Sequence, residues 1–251
     1  MLEVKSLSVS YGETQVVKNA SFSLQSGEWL MISGPNGAGK STLLEALMQG
    51  VPYTGEALFD GQNLKTMKPK HRALKLGLLA QRYAAGYAYT VEEVVRLGCY
   101  AYHDALSGFD EADEQAVALA LRETGTEALR RKRIHQISGG ELQRAFLSQL
   151  FAQNPKLLLL DEPSSHLDLA YQKQILTLIQ AWLSQGGRAV ISVMHDLAVA
   201  RRFGTRVMLL NHGEIQADAP AKQALSPALL TAVYGMDVET WMQDLYDGWK
   251  R

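Results

Sequence analysis

Residues 28–50 read EWLMISGPNGAGKSTLLEALMQG: an apolar strand pattern, a glycine-rich loop, then a helical pattern. The loop from Gly34 to Thr42, GPNGAGKST, satisfies G-x-x-x-x-G-K-S/T in the strand-loop-helix context that gives the pattern physical meaning. Gly34, Pro35, Asn36, Gly37, Ala38 and Gly39 form a turn whose backbone N–H groups, Pro35 having none, are suited to cradle a phosphate chain. Lys40 then reaches the β and γ oxygens, Ser41 holds Mg²⁺, and Thr42 completes the phosphate-binding set. This stretch decides the fold, because a strand that passes through such a loop into a helix belongs to an α/β sheet.

Two further apolar strands lead into helices. KLLLLDEP precedes AYQKQILTLIQAWLSQ, and RAVISVMHD precedes LAVARRF. Strands this continuously apolar, alternating with helices, read as a buried and mostly parallel sheet. The first thirty residues instead carry short strand patterns broken at Gly12 and Gly27, and TGEALFDGQNL (54–64) adds another. These predict a small antiparallel subdomain at the N-terminus. From about residue 83 to 154 the pattern turns helical, with a capping box at Thr90 and Glu93. The expected fold is therefore α/β: a P-loop NTPase core, an N-terminal antiparallel β subdomain, and an α-helical subdomain inserted at about 83–154. One domain spans 1–251.

Composition narrows the function classes. The 251 residues are 47% hydrophobic, enough for a full core. With 25 Lys+Arg against 26 Asp+Glu, the overall basic footprint of a nucleic-acid binder is missing. The basic runs 65–75 and 130–133 read as solvated faces. One cysteine, Cys99, excludes an internal disulfide and favours a reducing compartment. The histidines are scattered without metal-ligand spacing, and no apolar run reaches the eighteen residues that span a bilayer. Any membrane role has to pass through a partner.

Three strand ends carry chemistry, and strand ends are where α/β sheets bind ligands. Asp161 and Glu162 close KLLLLDE: the first suits a Mg²⁺ ligand, the second a base that polarises water for attack on a γ-phosphorus. His195 closes ISVMHD and suits a γ-phosphate contact. Gln81 closes LGLLAQ, and its neutral amide suits Mg²⁺ or water. A fourth feature is QISGGELQRAFLSQLFAQN, residues 136–154, a good helix that opens on two glycines. Ser138 and Glu141 form a capping box, which explains those two residues. Gly139 and Gly140 each cost a helix about 0.5–1 kcal/mol relative to alanine. What they provide is bare N–H groups that an anion can approach closely.

Taken in order, GPNGAGKST, LLAQ, ISGGE, LLLLDEP, SHLD and VMHD resemble the nucleotide-binding subunit of an ATP-binding cassette (ABC) transporter, with Ile137 where leucine is usual. The resemblance implies an ATPase with ATP and Mg²⁺ as ligands. It implies a head-to-tail homodimer in which each ATP lies between one copy's P-loop and the other's Ser138, Gly139, Gly140 and Glu141. Tyr11 matches the ring that stacks on adenine, Gln81 the residue that couples the site to the membrane subunits, and Asp168 a loop aspartate reaching across the dimer. Two transmembrane permease subunits, and indirectly a periplasmic or extracellular substrate-binding protein, are the implied partners. Nucleic acid is not among them. The implied location is peripheral, on the cytoplasmic face of a bacterial inner membrane. VMHDLAVARRF and SPALLTAVYGMDV are similar to ATPases that import cobalamin, haem and iron-siderophore complexes. Two other readings stay open at this level. One is a soluble ABC ATPase acting on nucleic acid, ribosomes or cofactor assembly; the other is a nucleotide-dependent switch without catalysis.

Overall fold

Leu2–Tyr11 (β1) and Thr14–Leu24 (β2) form an antiparallel hairpin, pairing from Leu2 with Leu24 to Tyr11 with Thr14. Leu2, Val4, Leu7 and Val9 are buried. A register shift between Val4 and Leu7 keeps them on the inner face where strict alternation would fail. The computed structural model describes residues 1–80, 89–103, 108–165 and 167–250. The chain forms two units, residues 1–63 with 193–251, and residues 64–192.

In the first unit, Trp29–Ser33 (β3) is buried throughout and runs through the glycine-rich loop into Lys40–Leu47 (α1). Thr54–Phe59 (β4) and Gln62–Asn63 (β5) complete an antiparallel sheet in the order β2-β1-β4-β5. The small N-terminal sheet expected from the sequence is thus present.

The second unit begins with Pro69–Ala73 (α2) and Leu76–Leu79 (β6). Its helical part follows: Val91–Arg96 (α3), a 3₁₀ turn at Leu97–Tyr102, Glu111–Glu123 (α4) and Gly139–Gln153 (α5). The Thr90–Glu93 capping box forms as expected. A second box at α4 was not anticipated: Asp110 Oδ1 accepts from Asp113 N at 3.1 Å, and Asp110 N donates to Asp113 Oδ2 at 2.8 Å. Losing such a cap costs about 1 kcal/mol. Asp110→Ala is therefore expected to lower unfolding stability by that amount in a denaturant titration and leave ATP affinity unchanged. The segment is less uniformly helical than its sequence pattern suggests, because 3₁₀ turns and a bridge between Thr90 and Arg133 interrupt it.

Leu157–Asp161 (β7), Leu169–Leu183 (α6) and Ala189–Val193 (β8) complete this unit. β6 runs parallel to β7, with Leu76 beside Leu157 and Leu79 beside Leu160, and β8 flanks β7 on its other side. Every residue of β7 and β8 is buried, the pattern of strands covered on both faces. α5 buries Ala145, Leu147, Leu150 and Phe151, and Phe151 stacks on Trp182 of α6 at 6.2 Å. Along α5, Leu147 and Ser148 are also buried while Leu142 and Phe146 are only half-buried. Ser148 lies inside because Thr124 and Thr126 hydroxyls hydrogen-bond it.

The chain returns to the first unit with Leu197–Phe203 (α7), Arg206–Asn211 (β9), Glu214–Pro220 (β10), Ala221–Ala224 (α8), Pro227–Tyr234 (α9) and Val238–Trp249 (α10). β9 lies parallel to β3, Leu30 beside Arg206 and Ser33 beside Leu209, and β10 folds back antiparallel on β9. No strand is expected at these residues from the patterns described above. The signal is nevertheless there, in four buried apolar residues, 207–210, followed by a turn at His212 and Gly213.

Candidate nucleotide site

In the first unit the glycine-rich loop is shaped by its neighbours. A Cβ on Gly34, which has φ of 148°, would lie 1.9 Å from the Leu210 carbonyl oxygen, so β9 admits no side chain there. Gly39 is the N-cap of α1 and brings no capping side chain, and no acidic residue occupies the helix's first turn. A helix that starts this way is suited to an anion from outside the chain. Lys40 is buried, and its Nζ donates to the carbonyls of Gly34 and Pro35, both at 2.9 Å. The ammonium is thereby held over the loop that the sequence assigns to phosphates. Ser41 and Thr42 follow on the first turn of α1.

Tyr11, at the end of β1, is 49% exposed, as a ring that stacks on a ligand must be. His195 lies two residues past β8 and is exposed. Its neighbour Met194 is fixed to β3 from both sides: Met194 N donates to Ile32 O at 3.0 Å, and Ser33 Oγ donates to Met194 O at 2.9 Å. The backbone of His195 is therefore tied to the end of β3 where the loop begins. Asp196 caps α7, accepting from the N–H groups of Ala198 and Val199. Tyr234 was not anticipated. Burial raises its phenol above the usual range, and the Gly34 backbone hydrogen-bonds its oxygen. It backs the loop from α9, a long-range contact with no local sequence signal.

In the second unit Asp161 is the last residue of β7 and only 9% exposed. Glu162 follows with φ of 52°, a left-handed conformation that costs a non-glycine residue about 1–2 kcal/mol. Ser165 Oγ donates to Glu162 Oε2 at 2.7 Å, which fixes the carboxylate's direction. Gln143 of α5 donates to the carbonyl of Pro163 at 3.0 Å, tying the glycine-led helix to the turn that carries Glu162. At the start of α5 the capping box is complete. Ser138 N donates to Glu141 Oε2 at 2.8 Å, and Ser138 Oγ accepts from Glu141 N at 3.3 Å. The Ser138 N–H holds the Glu141 carboxyl below its usual range.

The two glycines of that helix start turn out to differ. A Cβ on Gly140 would lie 2.7 Å from the ring of Tyr171, so packing within the chain excludes a side chain there. Gly140 therefore has a packing reason to be glycine besides the bare N–H it leaves at the helix start. A Cβ on Gly139 would meet nothing within 4 Å. Only Gly139 therefore lacks an internal reason to be glycine. Asp168 caps α6, Oδ1 accepting from Tyr171 N at 2.9 Å, so within the chain its carboxylate also holds the helix whose Tyr171 covers Gly140. Gln81 lies outside the described residues. Among the described residues, no group of three or more His, Cys, Asp or Glu side chains is arranged to hold a metal by itself.

The sequence profile of the ABC transporter family matches residues 17–165, a span that holds the phosphate loop, the Ser138–Glu141 helix start and the Asp161–Glu162 pair. The chain belongs to the ABC transporter family. As an ABC ATP-binding protein it hydrolyses ATP. The hemin import ATP-binding protein HmuV of Myxococcus xanthus is 39% identical over 95% of this chain and 91% of its own length. An uncharacterized ABC transporter ATP-binding protein, YvrA of Bacillus subtilis, is 36% identical over 94% of the chain, which spans only 54% of that relative. Among solved structures, an ABC transporter assigned to the metal-chelate type, in an inward-facing conformation, superposes with a TM-score of 0.82 at 26% identity, over 94% of this chain and 89% of the other. No helix among the described residues of this ABC protein is long and apolar enough to cross a membrane.

Proposed function

We propose that this chain is the nucleotide-binding subunit that powers a bacterial ABC importer of a metal chelate such as haem, a ferric siderophore or cobalamin. The observation that carries the reading is the pair of phosphate-suited helix starts, with Lys40 poised over one and Gly139 open to the outside at the other. Two copies pack head to tail. The β and γ phosphates of ATP take the place of the Gly34 and Pro35 carbonyls as partners of Lys40. Tyr11 stacks on the adenine, while Ser138, Gly139, Gly140 and Glu141 of the second copy meet the same nucleotide from the opposite side, with Asp168 reaching across.

Ser41, Gln81 and Asp161 are oxygen donors, the ligand chemistry that Mg²⁺ takes. A Mg²⁺ ion held by such donors would neutralise charge on the phosphate oxygens. Glu162, its direction set by Ser165, takes a proton from water as the water oxygen attacks the γ-phosphorus. His195 holds the γ-phosphate, and ATP and water become ADP and inorganic phosphate. Hydrolysis reopens the pair, and the movement passes to two permease subunits at the cytoplasmic face of the membrane, fed by a substrate-binding protein outside.

The second unit has a groove of about 400 Å³ lined by Pro69, Ala73, Leu97, Tyr100 and Gln153 among others. Leu97 is 47% and Tyr100 67% exposed there, a surface suited to a cytoplasmic helix of a permease. In vesicles containing the native permease, Leu97→Asp with Tyr100→Ala should lower haem or ferric-chelate uptake at least tenfold. The isolated subunit should keep its ATPase rate within about twofold. Parallel loss of both activities would mean that the residues pack the fold, and unchanged uptake would remove the groove as the docking surface.

A further inference from the structure

Residues 61–91 contain no Asp or Glu, in a chain whose 26 carboxylates almost balance its 25 Lys and Arg. Lys65, Lys68, Lys70, Arg72 and Lys75 all fall within that stretch, on and around the short helix α2. Lys65, Lys68 and Lys70 are exposed, while Arg72 and Lys75 are half-buried. Among the described residues α2 packs chiefly on β6 and the 3₁₀ turn Leu97–Tyr102, and neither of these carries a carboxylate. The other basic run, 130–133, differs. Its Arg130 forms ion pairs with Glu92 and Glu114, so part of its charge is balanced within the chain.

A dense cationic run with no acid of its own is drawn to a surface of fixed negative charge. Clusters of about four to eight Lys and Arg have the charge density that anionic phospholipid headgroups hold. The position of α2 selects that surface. Lys70 lines the same groove as Leu97 and Tyr100. A permease loop seated in that groove comes straight from the bilayer, so headgroups border it; this placement rests on the function proposed above.

We propose that the α2 segment, through Lys65, Lys68 and Lys70, contacts anionic phospholipid headgroups of the membrane that holds the permease. The contact is electrostatic and shallow, with the lysines reaching out from the rim of the groove. It is screened by salt, whose Debye length falls from about 10 Å at about 0.1 M to about 3 Å at about 1 M.

The test uses the full nucleotide-free chain and vesicles without permease, so its outcome depends on neither transport nor hydrolysis. In co-sedimentation at low ionic strength the chain should pellet with phosphatidylglycerol vesicles and stay in solution with phosphatidylcholine vesicles, and added NaCl should release it. Each cation near such a surface strengthens partitioning about fivefold, so Lys68→Gln with Lys70→Gln should bind about thirtyfold more weakly, with an unchanged melting temperature. Lys40→Ala should bind as wild type does, since the phosphate loop takes no part. Arg131→Gln with Lys132→Gln removes the same charge from the other basic run and should stay within about twofold of wild type. No binding to phosphatidylglycerol, equal binding to phosphatidylcholine, or wild-type binding by the Lys68 and Lys70 double variant would overturn the proposal. So would equal losses in the two double variants, which would mean that only net charge is read. Release by inorganic phosphate at constant ionic strength would assign the lysines to a soluble anion and equally overturn it. If vesicle binding fails while permease-containing vesicles still take up the chelate, the lipid contact falls and the function proposed above stands.

Discussion

Glu162→Gln is expected to bind ATP with nearly unchanged affinity and to hydrolyse it at least about a hundredfold more slowly, because a positioned general base supplies roughly 10²–10⁴ in rate. The substitution isolates the base from the geometry. An amide oxygen still accepts from the Ser165 hydroxyl, which now donates to Glu162 Oε2 at 2.7 Å, so the side chain keeps its direction and loses only its proton acceptor. The left-handed backbone at this position, φ 52°, is equally available to glutamine and glutamate, so stability should not change. With Mg-ATP the variant should run as a long-lived dimer in gel filtration, since closure persists when hydrolysis does not follow. Turnover within a few-fold of wild type would remove Glu162 from the role of base.

The second large effect separates the two helix starts. Lys40→Ala deletes the ammonium held over Gly34 and Pro35, and is expected to abolish measurable ATP binding by the isolated subunit in calorimetry. Gly139→Asp should leave that binding within about twofold and abolish ATP-driven dimerisation. A Cβ at residue 139 meets nothing within 4 Å, so the chain itself tolerates the change. The carboxylate nevertheless enters the space assigned to another copy's γ-phosphate, and two unit charges about 4 Å apart near a protein surface repel by roughly 4 kcal/mol. Gly140→Ala serves as the contrasting control. Its Cβ would lie 2.7 Å from the Tyr171 ring, so any loss there should appear as a lowered melting temperature, not as a selective loss of pairing. If Gly139→Asp abolished ATP binding by the isolated subunit and Lys40→Ala did not, the head-to-tail assignment would be wrong.

What the sequence determined by itself is everything that short-range physics decides. A strand, a loop and a helix within residues 28–50 set the α/β core, because the loop's function and geometry are both local. The capping boxes at Thr90 and Ser138 were legible for the same reason: donor and acceptor lie three residues apart, and both formed. Strand ends at Asp161 and near His195 could be read from where the apolar runs stop. Tertiary structure decided the features whose partners are distant in the chain. Gly34 is glycine because Leu210 of β9 passes 176 residues later, and Gly140 because Tyr171 of α6 lies on it. Tyr234 supports the phosphate loop from α9, and β9, carrying β10, pairs with β3 although their residues are far apart in the chain. The exposure of α10 belongs to the same class: its helical period is visible in the sequence, but only the packed chain leaves Trp241 and Leu245 about half exposed and Trp249 mostly exposed, since burial depends on how the whole chain closes around each side chain.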